Sequence, residues 1–450
     1  MVIAGRVFAD DTAVVRQSPQ KDAAVYIRAI EIHGNRTTRP EVLKHYITFD
    51  TGQVLDTEKL RATRANLLAT QLYDKVDIFP HNREDGAHVF IVLTESVRLQ
   101  LWYGAGYVTR KYGENKLWFQ LNASAAVENF RGRMEEFYIG ASVWDLWALN
   151  LGWHKPFLST PYFIAASAGV STHPDESLPL DYIDVYGRMA IGRKFGNNLR
   201  LALSAIPIYR HRTVVQSVLG PDSIAPFNSD DLYEAFAMLA ITADYRSARF
   251  DPKSGWFLHS HIRTNRLYSG INIPFFQLTN DFRYYQPAAL GAMAALRLKL
   301  VLRDTDAGRY HRLTYGGAGE IRGYGDKILG WQFPVNSSFL ASVKYHQPLW
   351  RSPPLPTPLV NLVFSGVHNL TYRIDAALIA DYAGLFREPL GAVTFDNWRQ
   401  DGVGLGFGAR IVIPEIKQSA CIDLVWGRNE RAGGEVVWSP MLHMYLDLFF

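Results

Sequence analysis

The sequence contains a single cysteine, Cys421, in a chain of 450 residues. One thiol cannot form an intrachain disulfide or supply the several thiolate ligands of a cysteine-based metal cluster. An excess of one charge is also missing, because 47 basic and 43 acidic side chains give a formal net charge of +4. This balance argues against a polyanion-binding surface, and we expect no nucleic acid partner.

Long apolar runs are absent as well. The longest charge-free stretch, residues 352–372, has four prolines among its first seven residues. A membrane-spanning helix needs about 20 consecutive, predominantly apolar residues, so the chain is not a polytopic helical membrane protein. Disorder is excluded as the main state, because 48% of the residues are hydrophobic and the charge is balanced.

Aromatic residues and glycine are abundant, with 23 Tyr, 25 Phe, 11 Trp and 35 Gly. This load is heavy for a soluble enzyme and suggests a β-barrel. No phosphate-binding loop, serine-hydrolase elbow or zinc-protease motif is present in the sequence. We therefore predict that the protein is not an enzyme and needs no cofactor. An enzyme acting inside a barrel is the weakest alternative.

The N-terminal part divides into a tail and a compact α/β unit. We expect residues 1–24 to be a disordered tail or the remnant of a signal peptide, because Val7 and Ala9 have the spacing of a cleavage site. Residues 25–96 begin with an alternating strand, followed by a helix at Pro40 and a second helix capped by Asp56. Two more strands complete a β-α-α-β-β domain.

From residue 97 onwards, hydrophobic and polar residues alternate with a period of two. Alternating segments of about 10 residues are the signature of transmembrane β-strands. Sixteen such segments are predicted, at residues 98–108, 116–127, 135–144, 146–156, 161–172, 181–192, 197–209, 232–246, 255–267, 274–285, 289–303, 337–347, 372–384, 400–413, 418–428 and 440–450.

The even number of segments is what a single-chain outer-membrane barrel requires. The chain also ends on an aromatic residue, Phe450, within its last segment. The predicted fold is therefore mainly β: a sixteen-stranded antiparallel transmembrane β-barrel over residues 97–450. The alternative is a soluble β-sandwich, in which the polar faces of the strands would meet bulk water.

One connection is much longer than the others. Residues 304–336 separate the eleventh and twelfth segments and contain Ile321-Arg322-Gly323-Tyr324, preceded by Gly316-Gly317. A loop of about 30 residues is unusual and is generally functional. This loop resembles the signature loop of the BamA/TamA-type outer-membrane protein assembly family. The resemblance implies POTRA domains before a sixteen-stranded barrel, whose sixth extracellular loop folds back into the lumen.

Three other features agree with this resemblance. Residues 25–96 look like a POTRA domain, and Asp251, Pro252 and Gly255 resemble the family's turn before a mid-barrel strand. Asp381 matches the acidic residue that the thirteenth strand offers to the loop arginine, and the alternation of its strand directs Asp381 inward. The sequence departs from the family in having one apparent POTRA domain where assembly proteins usually have several.

The resemblance implies a function in the outer membrane, of bacteria in preference to mitochondria or plastids. It predicts an assembly factor that inserts β-strands at a lateral seam between its first and last strands. Its expected partners are unfolded outer-membrane proteins and outer-membrane lipids, and accessory periplasmic proteins are compatible with it. A polypeptide secretion channel of the same family and a passive pore are the alternatives. The seam residues that we single out are Gly104, Gly106, Tyr445, Asp447 and Phe450.

Two remaining patterns are interpreted as parts of the lumen wall. Gly402, Gly404, Gly406 and Gly408 leave one face of a strand bare, which we expect to make room for the inserted loop. No helix follows them, so they are not a dinucleotide-binding loop. His259 and His261 share a strand face, but no third ligand is apparent and we predict no metal site.

Overall fold

The computed structural model describes residues 25–446 except 71, 97, 111–115, 145–146, 158–159, 175–179, 197, 215–230, 249, 270–274, 305–312, 314–319, 325–334, 359–368, 387–397 and 431–435. The structure is mainly β, with a small three-stranded sheet at the N-terminus and one sheet of sixteen strands. Among the described helices, none has the length and hydropathy needed to cross a membrane.

The N-terminal domain has the predicted β-α-α-β-β order. Its elements are β1 (Ile27–His33), α1 (Pro40–Lys44), α2 (Thr57–Ala69), β2 (Tyr73–Arg83) and β3 (Gly86–Glu95). Strand β3 lies in the middle of the sheet, parallel to β1 and antiparallel to β2. Both outer strands, β1 and β2, therefore present an edge.

Local sequence explains both helices of this domain. Pro40 occupies the first turn of α1, where its missing N–H costs nothing. The Asp56 side chain caps α2 by accepting a hydrogen bond of 2.9 Å from the Glu58 N–H. The helices and the sheet enclose an apolar core that includes the fully buried side chains of Leu67 and Ile91. Burial of each such side chain contributes about 1.5–3 kcal/mol.

All sixteen predicted barrel segments are strands of the large sheet. They are β4 (Leu99–Arg110), β5 (Lys116–Phe130), β6 (Glu135–Trp144), β7 (Ala148–Pro156), β8 (Tyr162–Pro174), β9 (Leu180–Phe195), β10 (Leu199–Val214), β11 (Asp231–Asp244), β12 (Gly255–Ser269), β13 (Phe276–Pro287), β14 (Met293–Arg303), β15 (Ser337–Arg351), β18 (Arg373–Phe386), β19 (Trp398–Ile413), β20 (Gln418–Glu430) and β21 (Val436–Leu446). A small hairpin that the sequence did not reveal, β16 (Leu355–Pro356) and β17 (Asn369–Leu370), lies between β15 and β18.

The strands follow one another around a barrel, and every adjacent pair in the sheet is antiparallel. Their two faces have opposite character. On β18 the apolar Leu378 is 63% exposed on the outside, whereas the charged Asp375 and Asp381 are only 1% and 3% exposed. A soluble sandwich would bury the apolar face instead. The outward face therefore suits lipid, and the polar face lines a lumen.

The barrel is joined to the N-terminal domain by more than the covalent chain. The end of β5 and the turn after it bond to the segment just before α1: the Arg39 N–H donates to the Gly132 carbonyl at 3.1 Å, and the Asn129 amide donates to the Thr38 hydroxyl at 2.8 Å. Met134, from the same turn, packs against the core of the N-terminal domain. We call the end of the barrel beside this domain the proximal end.

Closure of the barrel is incomplete at one junction. Strands β4 and β21 are the two ends of the sheet, and their Cα atoms approach within 8 Å. Within the described parts of these strands, no hydrogen-bonded ladder joins them, whereas every other neighbouring pair in the barrel has one. We call this junction the seam.

Candidate functional site inside the barrel

The loop motif, Ile321–Tyr324, lies inside the barrel against its wall. Ile321, Arg322 and Tyr324 are 1%, 2% and 3% exposed. Ile321 belongs to a buried apolar cluster with Leu340 on β15 and Leu385 on β18. Gly316 and Gly317, which contributed to the family resemblance, lie outside the described residues.

Arg322 and Asp381 form a bidentate ion pair. The Arg322 guanidinium donates from Nε to Asp381 Oδ2 at 2.7 Å and from Nη2 to Asp381 Oδ1 at 2.6 Å. The Arg322 backbone N–H adds a third bond to Oδ2 at 2.9 Å. Two parallel charge-assisted bonds fix both the position and the plane of the guanidinium. The structure thus brings together the two residues that the family resemblance paired.

The ion pair is part of a larger buried network. Arg322 Nη2 also donates to the Ser342 hydroxyl at 2.8 Å, and Nη1 donates to Asp423 Oδ2 at 3.4 Å. Lys344 Nζ lies 3.6 Å from the same Asp423 oxygen. Two cations and two carboxylates compensate one another, as buried charges must. The network ties the loop to β15, β18 and β20 at once.

Gly323 is required by the way the loop meets the wall. Its φ of 90° lies in the region that favours glycine. A Cβ atom there would lie 2.7 Å from the backbone nitrogen of Gly427 on β20. The Gly323 N–H donates a hydrogen bond of 3.1 Å to His443 Nε2 on β21. The last strand of the barrel therefore holds the loop through an imidazole.

Tyr324 binds the backbones of two strands. Its hydroxyl donates to the Arg428 carbonyl at 2.5 Å, and it accepts a hydrogen bond of 3.0 Å from the Val403 N–H. The ladder between β19 and β20 ends at the pair Gly404–Gly427, immediately beside this hydroxyl. The Tyr324 hydroxyl is therefore the hydrogen-bond partner of main-chain groups at the point where β19 and β20 separate.

The glycine row of β19 has a mixed role. A Cβ at Gly404 would collide with the Arg322 carbonyl oxygen, so Gly404 makes room for the loop as expected. At Gly406 and Gly408, however, the colliding atoms are the Leu424 carbonyl and the Asp423 carboxylate of β20. Gly406 therefore allows a close approach of the β20 backbone, and Gly408 leaves room for the Asp423 carboxylate, which itself binds Arg322.

The turn motif holds the proximal end of the barrel. Asp251, in the turn between β11 and β12, accepts hydrogen bonds from Arg410 Nη1 at 3.0 Å and from Arg373 Nη2 at 3.1 Å. Pro252 is buried beside it, and the φ of Gly255 is 99°. Burial of the Asp251 carboxyl opposes ionisation, but the hydrogen bonds and charges of Arg373 and Arg410 outweigh it and hold its pKa well below the usual value. The turn thereby reaches across to β18 and β19.

The predicted seam residues are only partly described. Gly104 and Gly106 pair with Asn122 and Gln120 of β5. Tyr445 pairs with Cys421 of β20. Asp447 and Phe450 lie outside the described residues.

Sequence reasoning missed Asp423, Lys344 and His443 of the loop network, and Arg373 and Arg410 of the turn network. Strand alternation directs Asp423 and His443 inward, and this signal could have marked them as lumen residues. His259 and His261 do face each other, with ring centroids 5.3 Å apart. The described residues contain no cluster of three or more potential metal ligands.

Comparisons with known proteins agree with this architecture. The Omp85 superfamily domain matches residues 129–364, which is more than half of the chain. The chain belongs to the Omp85 superfamily. Residues 25–96 match the POTRA model, described as a surface antigen variable number repeat. No curated protein matches the chain significantly.

Solved structures of Omp85 proteins are similar to this chain across most of its length. BamA from Haemophilus ducreyi lacking POTRA domains 1–3 has a TM-score of 0.60 at 14% identity, with 94% of this chain and 85% of that chain covered. CdiB from Escherichia coli has a TM-score of 0.57 at 13% identity, with coverages of 94% and 76%. The identities are low, so these similarities show the fold. As an Omp85 protein the chain resides in the outer membrane, and its POTRA domain lies at the proximal end of the barrel.

Proposed function

We propose that this Omp85 protein is an assembly factor that inserts β-barrel polypeptides into the outer membrane. Its POTRA domain captures the unfolded substrate, and the seam between β4 and β21 receives the substrate's strands. The observation that carries this proposal is the seam itself, where two neighbouring strands approach without a ladder between their described residues.

Backbone hydrogen bonding makes such a seam reactive towards other strands. Each backbone group left unpaired in lipid costs several kcal/mol. An incoming strand that pairs with β4 or β21 would satisfy these groups, so the seam favours strand addition. The remaining ladders keep the barrel wall intact while this happens. Edge strands are a liability in most proteins, and here the edge would be the working surface.

The POTRA sheet offers a second place for strand addition. Strand β2 lies at its edge, with Phe79 49% exposed and stacked on Phe90 of β3 at 5.8 Å between ring centroids. An extended substrate segment that pairs with β2 would gain main-chain hydrogen bonds, and its side chains would extend this aromatic row. Capture at β2 in the periplasm would then precede insertion at the seam.

A second candidate function is secretion of a polypeptide through the lumen. The specific observation that favours it is a cavity of about 220 Å³ lined by Glu136, His154, Ser167 and Arg188, among others. These residues belong to β6–β9, away from the strands that hold the loop motif. A secretion channel would move its substrate past these side chains after the loop leaves the lumen, whereas an assembly factor would use the seam.

A disulfide across the seam tests the proposal. Pairs of cysteines are introduced along β4 and β21 in a Cys421→Ser background, and the purified protein is reconstituted with a reporter barrel as substrate. Oxidation should abolish insertion of the reporter, and reduction should restore it. Full insertion activity with a quantitatively formed crosslink would overturn lateral insertion.

The control is a disulfide between strands that are already paired. Ile422 and Met444 are register partners on β20 and β21, and both face lipid. Their crosslink should leave insertion unchanged. Polypeptide translocation that persists with the seam locked, in a protein that inserts no reporter barrel even with the seam open, would favour the secretion channel.

A further inference from the structure

The contact between Gly323 and His443 connects the inserted loop to the strand at the seam. His443 lies on β21, 9% exposed, and its Nε2 accepts the Gly323 N–H at 3.1 Å. The Arg322 side chain of the loop motif reaches Ser342, Asp381 and Asp423 on β15, β18 and β20. Each of those strands has a ladder on both sides, whereas β21 has a ladder only with β20 in its described residues.

The direction of this hydrogen bond defines the protonation state of the imidazole. A backbone N–H can only donate, so Nε2 must carry a lone pair and the ring must be neutral with its proton on Nδ1. The charged groups that surround the ring are Asp423, its register partner on β20, together with Arg322 and Asp381. Their charges are paired with one another, so the ring is free to act as a neutral acceptor.

The geometry of Gly323 makes this contact sensitive to the position of β21. The φ of Gly323 and its close packing on Gly427 set the direction of its N–H. The position of β21 must therefore bring the acceptor to the N–H, because close packing prevents the loop backbone from moving with the strand. A shift of β21 by one or two ångströms would lengthen the bond beyond hydrogen-bonding distance, for which about 3.2 Å is the upper limit.

We propose that His443 is a positioning residue that couples the seating of the loop to closure of the seam. When β21 is in place, its imidazole holds the loop against the wall, and when β21 moves, the loop loses this acceptor. The coupling is reciprocal, because a loop that prefers the closed position of β21 must stabilise that position to the same extent. The inference rests on the proposed function in one respect, namely that opening of the seam is what moves β21.

Thiol labelling of the loop tests the contact without any substrate. Ile321 is buried, so the thiol introduced by Ile321→Cys in the Cys421→Ser background reacts with a maleimide only when the loop leaves the wall. We compare His443→Gln with His443→Asn in the reconstituted full chain. The glutamine amide oxygen reaches the position of Nε2, whereas the asparagine side chain is one methylene shorter.

The asparagine variant should label about fivefold faster than the parent, as expected for the loss of one hydrogen bond, and the glutamine variant should label at close to the parent rate. Met444→Leu is the matched control, because Met444 is the next residue on β21 and is 65% exposed towards lipid. It should not change labelling. Heat-modifiable mobility verifies that each barrel is folded. Equal labelling of the glutamine, asparagine and parent proteins would overturn the inference.

A second arm combines the His443 variants with the seam disulfide. Locking the seam should slow loop labelling severalfold in the parent, and this effect should be lost in His443→Asn. Equal slowing in both proteins would show that the coupling does not pass through His443. Labelling and insertion are separate measurements, so a locked seam that still inserts barrels would refute the proposed function and leave the loop contact to be judged on labelling alone.

Discussion

The POTRA domain and the barrel are both built on β-sheets, but they distribute their side chains in opposite ways. The POTRA domain buries Val76, Val89 and Ile91 between its sheet and its helices. The barrel exposes Leu378 and Met444 and buries Asp381, Asp423 and Lys344. The same period-two alternation therefore encodes a core facing inward in one region and a lipid-facing surface in the other. The environment of each face decides which set of side chains is buried.

The difference also changes what holds each region together. In the POTRA domain, apolar burial around a central strand supplies the stability. In the barrel, the surrounding lipid provides no hydrophobic driving force towards the interior. The contacts inside the barrel are therefore held by hydrogen bonds and paired charges. The residues that bind the loop to the wall are therefore charged and polar, and a single truncation among them should have a larger effect than the loss of a surface ion pair.

The largest expected effect is that of Arg322→Ala or Asp381→Ala. Each leaves a buried charge without its partner, at a cost of about 3–5 kcal/mol. We expect the loop to leave the wall while the barrel stays folded, because the ladders between strands do not involve these side chains. Limited proteolysis of the loop and heat-modifiable mobility measure the two outcomes. Unchanged protease sensitivity in both variants would contradict the prediction.

Arg266→Ala is the control for this comparison. Its partner is Asp304 at 2.5 Å, but the Arg266 side chain is 46% exposed. An exposed ion pair contributes about 0–1 kcal/mol. If the loop were as sensitive to protease in Arg266→Ala as in Arg322→Ala, burial of the ion pair would not be the cause of loop release.

A smaller effect is expected in the POTRA domain at alkaline pH. Burial raises the pKa of Tyr73 to about 12, whereas an unfolded tyrosine ionises near 10. Because the folded-state pKa is raised, neutral Tyr73 makes its full contribution to the free energy of unfolding below pH 10. As the pH rises towards 12 this contribution is lost, and the loss amounts to up to about 2–3 kcal/mol. Tyr73→Phe should flatten this part of the stability profile, measured by urea unfolding of the domain in the full chain.

Tyr26→Phe tests whether burial of the tyrosine causes the loss of stability at alkaline pH. Tyr26 is in the same domain but 57% exposed, so its substitution should leave the alkaline loss of stability unchanged. An alkaline profile that is the same for the parent and for Tyr73→Phe would exclude Tyr73 as its source.

The smallest effect is expected for Tyr324→Phe. The ring would still pack in the apolar cluster, but the Val403 N–H and the Arg428 carbonyl would lose the hydroxyl. We expect a cost of about 1 kcal/mol, the net value of a typical hydrogen bond, seen as slightly faster hydrogen exchange of the Val403 amide. Tyr382→Phe, on β18, is the control for loss of a tyrosine hydroxyl elsewhere in the barrel. Exchange at Val403 that is equally fast in the parent would argue against the contact.

The strands and their faces were predictable because they depend on short-range pattern. Alternation with a period of two located all sixteen strands, and it placed Asp381 on the inner face. Strand ends were less predictable: β10 runs to Val214 and β21 begins at Val436, beyond the segments that the pattern marked. Outside the apolar band the alternation no longer has to match lipid, so the sequence gives a weaker signal there.

The sequence by itself determined the number of strands, the side of the wall that each residue faces and, with the family resemblance, the pairing of Arg322 with Asp381. Only the tertiary structure decided that Arg322 also reaches Asp423, 101 positions away, and that Gly323 meets His443, 120 positions away. Alternation is a local property of the chain. Contacts across the lumen depend instead on the registers of all the strand pairs between the two residues. These registers fix the relative positions of distant residues only in the complete sheet.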